Sequence, residues 1–286
     1  MDNVKGSMFM VLAMGAFALE DMFFKAATEG ASIALSMIFF GLGGMVIFII
    51  MTARAGEAMI HPGLKSRALI VRTIFELGGR LFYALAIALT PLSSASAILQ
   101  ATPLVVALGA VIFFNEKVGW RRWAAIAVGF AGVLLILRPG LDGFEVTSIF
   151  AVLGTIGFAG RDLATRASPP SMSARQLGIY GFANIAIAGV IVLYFNNEGG
   201  MPTGINLAYI AGASVIGVLA YYALTLAMRI GEISVVASFR YSRLVFAMLL
   251  GIIVFQERPD ALTLVGSAII VASGLYTAIR NRQGKA

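Results

Sequence analysis

Arg240 and Arg243 sit about seven and ten residues into a long apolar run, roughly 10 and 15 Å along a helix from its start. If that run crosses a bilayer, a charge at such depth costs at least about 2.5–3.5 kcal/mol and needs a partner or a task. Three residues apart, the two arginines share a helical face. Their guanidinium forks could clamp a carboxylate or phosphate; equally, acids on neighbouring helices could neutralise them as a structural pair. A second stripe holds Arg72, Glu76, Arg80 and Tyr83 at i,i+4 and i,i+3 spacing. Arg72 is shallow and within reach of the membrane surface. Glu76 can pair with either arginine of its own helix or titrate as a coupling group. Arg80 lies deeper, and Tyr83 beside it offers a ligand an amphipathic platform. Two charged pairs, Glu20-Asp21 and Arg161-Asp162, suit gates, because a carboxyl in apolar surroundings can load and release a proton near neutral pH; solvation at a helix end is the plain alternative. Phe17 and Phe158, three residues before these pairs, join Gln100, Tyr221 and Tyr222 as candidate substrate contacts, although buried polar residues also serve as interhelical glue.

Other chemistries find no residues to carry them. With no cysteine, disulfides, iron–sulfur clusters and thiol catalysis are excluded. The single histidine, His61, makes neither a metal site nor a triad. Without a GxxxxGK[ST] loop the chain does not itself hydrolyse ATP, so any work it does must draw on a gradient or on exchange. Nothing organises Asp21, Glu76 and Asp162 into an acid–base pair, so no catalytic residue, cofactor or metal is assigned.

Composition names the solvent. The chain of 286 residues is 59% hydrophobic and 12% charged, with a mean hydropathy of +0.92, where soluble domains carry about 25% charged residues. Lipid must replace water around much of the surface. The net charge of +7 comes from basic residues scattered between apolar runs rather than from a basic block, which argues for membrane orientation and against nucleic acid.

About 20 apolar residues cross a bilayer core. Such runs recur near 6–25, 32–52, 68–90, 93–114, 121–138, 146–166, 175–195, 207–229, 233–255 and 262–280, which predicts an all-α membrane protein of ten spans. Lys5, Arg54, Lys65, Arg67, Lys117, Arg121, Arg122, Arg166, Arg175, Arg229 and Arg280 fall on one set of ends, while Lys25, Arg138 and Arg258 fall on the other. That bias predicts both termini in the cytoplasm, as an even span count requires. Pro103 in the fourth span predicts a kink and a freed backbone carbonyl.

Shifted by 141 residues, the chain partly overlays itself. Phe17-Ala18 falls on Phe158-Ala159, Asp21 on Asp162, Lys25-Ala26 on Arg166-Ala167, and Glu116 on Glu257. The match predicts two units, 1–140 and 141–286, of five spans each. An odd span count makes the second unit enter from the opposite side, so the halves are inverted. Inverted repeats are common among secondary transporters, with the substrate held between the halves near the midplane. The walls are expected from spans 1, 3, 4, 6, 8 and 9. Glycines such as Gly154, Gly157 and Gly160 are expected to let helices pack closely rather than to hold phosphate.

The segments Thr102-Pro103-Leu104-Val105-Val106, Phe113-Phe114-Asn115-Glu116-Lys117 and Gly129-Phe130-Ala131-Gly132-Val133-Leu134-Leu135, with the weaker copy Phe255-Gln256-Glu257-Arg258, resemble the EamA-type ten-helix carriers of the drug/metabolite transporter superfamily. The second copy lacks the proline, having Leu244 in its place. The resemblance spans essentially the whole chain. It implies a secondary carrier with a central cavity lined by the first four helices of each half, and outer fifth and tenth helices that often make dimer contacts. It leaves the substrate open among amino acids, vitamins, nucleotide-like metabolites, sugars and drugs.

The reading that results is a multi-pass plasma-membrane carrier, in the inner membrane if the cell is bacterial. Its partners would be a small organic substrate with an anionic or zwitterionic group, the bilayer and a coupling proton, in a monomer or homodimer. Efflux of lipophilic drugs is the nearest alternative, although lipophilic cations would favour a cavity of net acidic charge. A channel would want a continuous polar stripe on several helices, and only isolated polar positions occur.

Overall fold

The computed structural model describes residues 3–114, 120–137, 145–166, 172–195, 199–230 and 237–283, and among these the protein is all helical. The elements are α1 (Asn3–Thr28), α2 (Ile33–Arg54), α3 (Arg67–Leu89), α4 (Leu92–Leu99), α5 (Thr102–Phe114), α6 (Trp120–Leu137), α7 (Ser148–Arg166), α8 (Ala174–Phe195), α9 (Ile205–Ile230), α10 (Ser242–Val254) and α11 (Ala261–Gln283). Short 3-10 turns at Pro62–Lys65 and Ala237–Tyr241 precede α3 and α10.

Four helices, α1, α2, α8 and α9, carry stretches long and apolar enough to cross a membrane by length and composition. The others fall short for local reasons. Helix α3 carries Arg72, Glu76 and Arg80 within three turns, and Arg161 with Asp162 interrupts the apolar stretch of α7. The fourth apolar run is broken into α4 and α5. Residue 103 is proline and has no N–H for the Leu99 carbonyl, so one helix ends at Leu99 and the next begins at Thr102. The freed carbonyl expected from the sequence is nevertheless occupied, because Thr102 Oγ1 donates to it at 2.5 Å. In the ninth run, Arg240 lies in the 3-10 turn and Arg243 in the first turn of α10, so the two arginines straddle a junction instead of lying within one continuous helix.

Packing follows a reciprocal order. Helix α1 lies along α9, α2 along α8, and α3 along α7; the short helices α4 and α10 meet, and α6 packs on α11. Small residues set three of these pairings. A methyl group on Gly41 of α2 would overlap the backbone of Ala186 in α8, and one on Gly157 of α7 would overlap the backbone nitrogen of Gly79 in α3. Between α6 and α11, a methyl on Gly132 would sit 2.9 Å from the Gly266 carbonyl, and one on Gly266 would sit 2.7 Å from that of Gly132. In lipid, where apolar burial supplies little drive between helices, such backbone approach is the main source of association.

The Thr90-Pro91 turn between α3 and α4 is gripped from both sides. Lys25 Nζ donates to the carbonyls of Ile87 at 3.2 Å and Thr90 at 2.7 Å, placing a cation at the end of α3. Glu257 accepts from the Leu92 amide at 2.6 Å, the Ser93 amide at 3.0 Å and the Ser93 hydroxyl at 2.7 Å, placing an anion at the start of α4. Both charges oppose the helix dipole they face and satisfy orphan backbone groups. Glu257→Gln should lower stability by about 1–2 kcal/mol, the value of a helix cap reinforced by charge. Thermal unfolding in detergent reads this, and an unchanged midpoint would show that the carboxylate holds nothing. Glu116, its counterpart in the repeat, lies outside the described residues.

Candidate functional site

The charged stripes of α1, α3 and α7 converge with the Arg240 turn on a single central cavity of about 100 Å³. Helix α1 contributes Phe17, Glu20 and Asp21; α3 contributes Arg80 and Tyr83; Gln100 and Thr102 come from the α4–α5 break. On the opposite side stand Phe158, Arg161 and Asp162 of α7, Tyr221 of α9, Arg240 of the turn and Arg243 of α10. These are the six spans from which walls are expected. Helix α2 adds Phe40 and α8 adds Ile185.

The charges are arranged as two linked clusters. In the first, Arg243 Nη2 lies 2.6 Å from Asp21 Oδ2, and the Tyr83 hydroxyl donates to the same oxygen at 3.4 Å. The Arg243 guanidinium rests over Phe17 at 5.1 Å and Tyr83 at 5.5 Å. Beside it Arg80 Nη1 stands 3.6 Å from Glu20 Oε1, with its guanidinium over Phe158 at 5.8 Å. In the second cluster, Asp162 Oδ1 accepts from Arg161 Nε at 3.0 Å and Nη2 at 2.8 Å, while Asp162 Oδ2 accepts from Arg240 Nη1 at 3.2 Å. Arg161 also reaches Glu76 Oε1 at 3.9 Å and lies over Phe158 at 4.9 Å. Arg72 Nη1 is 2.9 Å from Glu76 Oε2, and its Nη2 donates to the Tyr221 hydroxyl at 3.4 Å. Neither oxygen of Glu76 is aligned for a hydrogen bond, so its hold on the two arginines is ionic.

Twelve of the fourteen residues singled out in the sequence line this cavity; Glu76 and Tyr222 do not. Glu76 is fully buried behind the wall, bridging Arg72 and Arg161 rather than Arg80. Arg72, expected near the surface, is instead only 5% exposed, because Tyr221 and Glu76 give it partners inside the bundle. Tyr222 is one residue round α9 from Tyr221 and meets Arg175 at the start of α8. Arg240 and Arg243 are both paired with carboxylates, Asp162 and Asp21. Sequence reasoning missed the apolar lining residues Met14, Phe40, Leu99, Ile185 and Leu224; an apolar residue facing a cavity looks the same in sequence as one facing lipid.

Counted together, five arginines (72, 80, 161, 240 and 243) face four carboxyls (20, 21, 76 and 162). With all ionised, 5 − 4 leaves one positive charge. Guanidinium groups thus lie over aromatic faces around a cavity lined from α1, α2, α3, the α4–α5 break, α7, α8, α9 and the turn into α10. One family model matches the chain twice, over residues 4–138 and 146–278, and its description is the EamA-like transporter family. This protein belongs to the EamA-like transporter family. It is an integral membrane protein and a transporter of small molecules, not an enzyme.

Curated relatives fit that membership. A riboflavin transporter of Rhizobium johnstonii is 28% identical over 96% of this chain and 90% of its own length. An S-adenosylmethionine uptake transporter of Rickettsia bellii is 29% identical over 72% of this chain and 70% of its own. A pseudopaline exporter of Pseudomonas aeruginosa is 27% identical over 94% of each. Among solved structures, one has the same fold with a TM-score of 0.61 at 19% identity, covering 94% of this chain and 98% of its own.

Proposed function

We propose that this EamA protein is a secondary carrier for a small metabolite bearing an anionic or zwitterionic group, moved across the cytoplasmic membrane by alternating access. The observation that carries the reading is the convergence of Arg80, Arg161, Arg240 and Arg243 on one cavity against three lining carboxyls. That surplus favours an anionic group and disfavours lipophilic cations. Phe17, Tyr83, Phe158 and Tyr221 supply faces for a flat ring. Riboflavin and S-adenosylmethionine, for which two of the relatives are named, both contain such a ring.

Ten spans in two inverted halves, 1–140 and 141–286, with both termini in the cytoplasm, account for the reciprocal packing order. Under inversion the first helix of one half meets the third of the other, second meets second, and third meets first. This is the order of α1 with α9, α2 with α8 and α3 with α7. The double match of the family model supports the same division. Alternating access is supported by size, since a cavity of about 100 Å³ is well below the roughly 300–1,000 Å³ of small-molecule pockets. Cargo enters only if the halves part. The chain carries no ATP-binding loop, so the drive is a gradient, for which a proton on the cavity carboxyls serves, or exchange.

Melting temperature against a panel of amino acids, nucleotides, vitamins, organic acids and cationic drugs tests the reading. A ligand at 100 times its dissociation constant adds about 2.7 kcal/mol of stability. Anionic or zwitterionic metabolites should raise the midpoint, and Arg243→Gln should abolish the rise. A rise with lipophilic cations alone would overturn the assignment and point to drug efflux.

A further inference from the structure

Arg243 is held, but poorly matched. A guanidinium binds a free carboxylate best through two parallel N–H···O bonds. Here a single nitrogen, Nη2, meets a single oxygen of Asp21 at 2.6 Å, and Arg243 Nε is buried with no hydrogen-bond partner. Asp21 is anchored to α1 by one methylene and shares that same oxygen with the Tyr83 hydroxyl, so the two planes do not come into register. Arg240 has the same kind of contact, one nitrogen at 3.2 Å from one oxygen of Asp162, whose other oxygen is already taken by Arg161. The two aspartates occupy matching places in the repeat, 141 residues apart. Each holds one member of the Arg240–Arg243 pair. A short internal acid on each flanking helix thus fills, imperfectly, the position that a diffusible anion would fill well.

We infer that Asp21 and Asp162 are built-in stand-ins for the substrate's anionic group: they neutralise the arginine pair while the carrier is empty, and a carboxylate ligand replaces Asp21 on Arg243. This rests on the proposed anionic substrate and adds what sets its apparent affinity. An incoming anion binds Arg243 only by displacing a resident one, so Asp21 is a specificity-determining residue. It rejects neutral ligands, which cannot compensate the arginine once Asp21 leaves. The exchange of one anion for another also keeps the arginine neutralised throughout, so its charge never faces hydrocarbon alone. Asp162 does the same for Arg240 on the other half.

The test is chemical rescue in the purified full-length protein. Asp21→Ala removes the stand-in and leaves room for a small acid. Sodium formate should raise the melting temperature of Asp21→Ala by several degrees more than equal sodium chloride or formamide. The wild type, in which formate must first displace Asp21, should show a smaller preference, and the double variant Asp21→Ala/Arg243→Gln none. A formate effect no larger than chloride's, or one that persists in the double variant, overturns the inference. If Asp21→Ala is recovered folded only when solubilised in formate, that is itself rescue; if it is recovered in neither condition, Asp162→Ala with Arg240 takes the same test, and absence of a formate preference there overturns the inference. The two readings fail separately. Formate rescue with no anionic metabolite shifting the wild type removes the substrate class and keeps the stand-in, whereas metabolite shifts that need Arg243 without formate rescue do the reverse.

Discussion

Glu76→Gln should destabilise the protein by about 3–5 kcal/mol, although it exchanges one oxygen for a nitrogen and changes the shape of the side chain hardly at all. Removing one partner of a buried ionic cluster leaves the others charged and uncompensated, and that penalty sets the magnitude. Glu76 is fully buried and faces Arg72 at 2.9 Å and Arg161 at 3.9 Å. Arg161 keeps Asp162, so most of the loss falls on Arg72, itself 6% exposed in its side chain. Replacing both members of the i,i+4 pair, as in Arg72→Leu/Glu76→Leu, should recover much of the deficit, since no buried charge is then orphaned. Thermal unfolding in detergent distinguishes the cases. A Glu76→Gln protein within about 1 kcal/mol of the parent would mean that the carboxyl does not neutralise Arg72.

Gly157→Leu should abolish recovery of folded, monodisperse protein, while Gly78→Ala, on the facing helix, should be neutral or stabilising by up to about 1 kcal/mol. At Gly157 any β-carbon overlaps the Gly79 amide and sits 2.5 Å from its Cα, and backbone cannot step aside as a side chain can. At Gly78 nothing lies within 4 Å of the added methyl. Forcing α7 off α3 also parts Phe158, Arg161 and Asp162 from Arg80 and Tyr83, so ligand-induced stabilisation should vanish along with the fold. Size-exclusion profiles of the two variants settle this; similar profiles would show that the close approach is not required.

These two sites mark how far the sequence could be read. The helices, a disturbance at Pro103 (a kink in the sequence reading, a break between two helices in the structure) and the packing role of Gly154, Gly157 and Gly160 follow from local rules, since hydropathy, a missing N–H and a missing Cβ act where they occur. The charged residues were equally visible, because each is out of place in an apolar run. Their partners were not. Asp21 and Arg243 are 222 residues apart, and Arg72 and Tyr221 are 149 apart, so no spacing rule links them. Arg72 was expected near the surface because depth along a helix can be counted in sequence but the neighbours that enclose it cannot. Tyr221 and Tyr222 are adjacent and differ by about 100° in direction, which is why one reaches the cavity and the other meets Arg175. Glu257 stood out only as the twin of Glu116, and its grip on the start of α4 depends on a contact 164 residues away.

The smallness of the central cavity has a bearing on the cell as well as on the cargo. Among the described residues, the cavity of about 100 Å³ is crossed by arginine–carboxylate pairs that a hydrated ion would have to part in order to pass. On the proposed alternating-access cycle, such ion pairs let many copies stand in the membrane without shunting the potential, because the halves part only around a passenger.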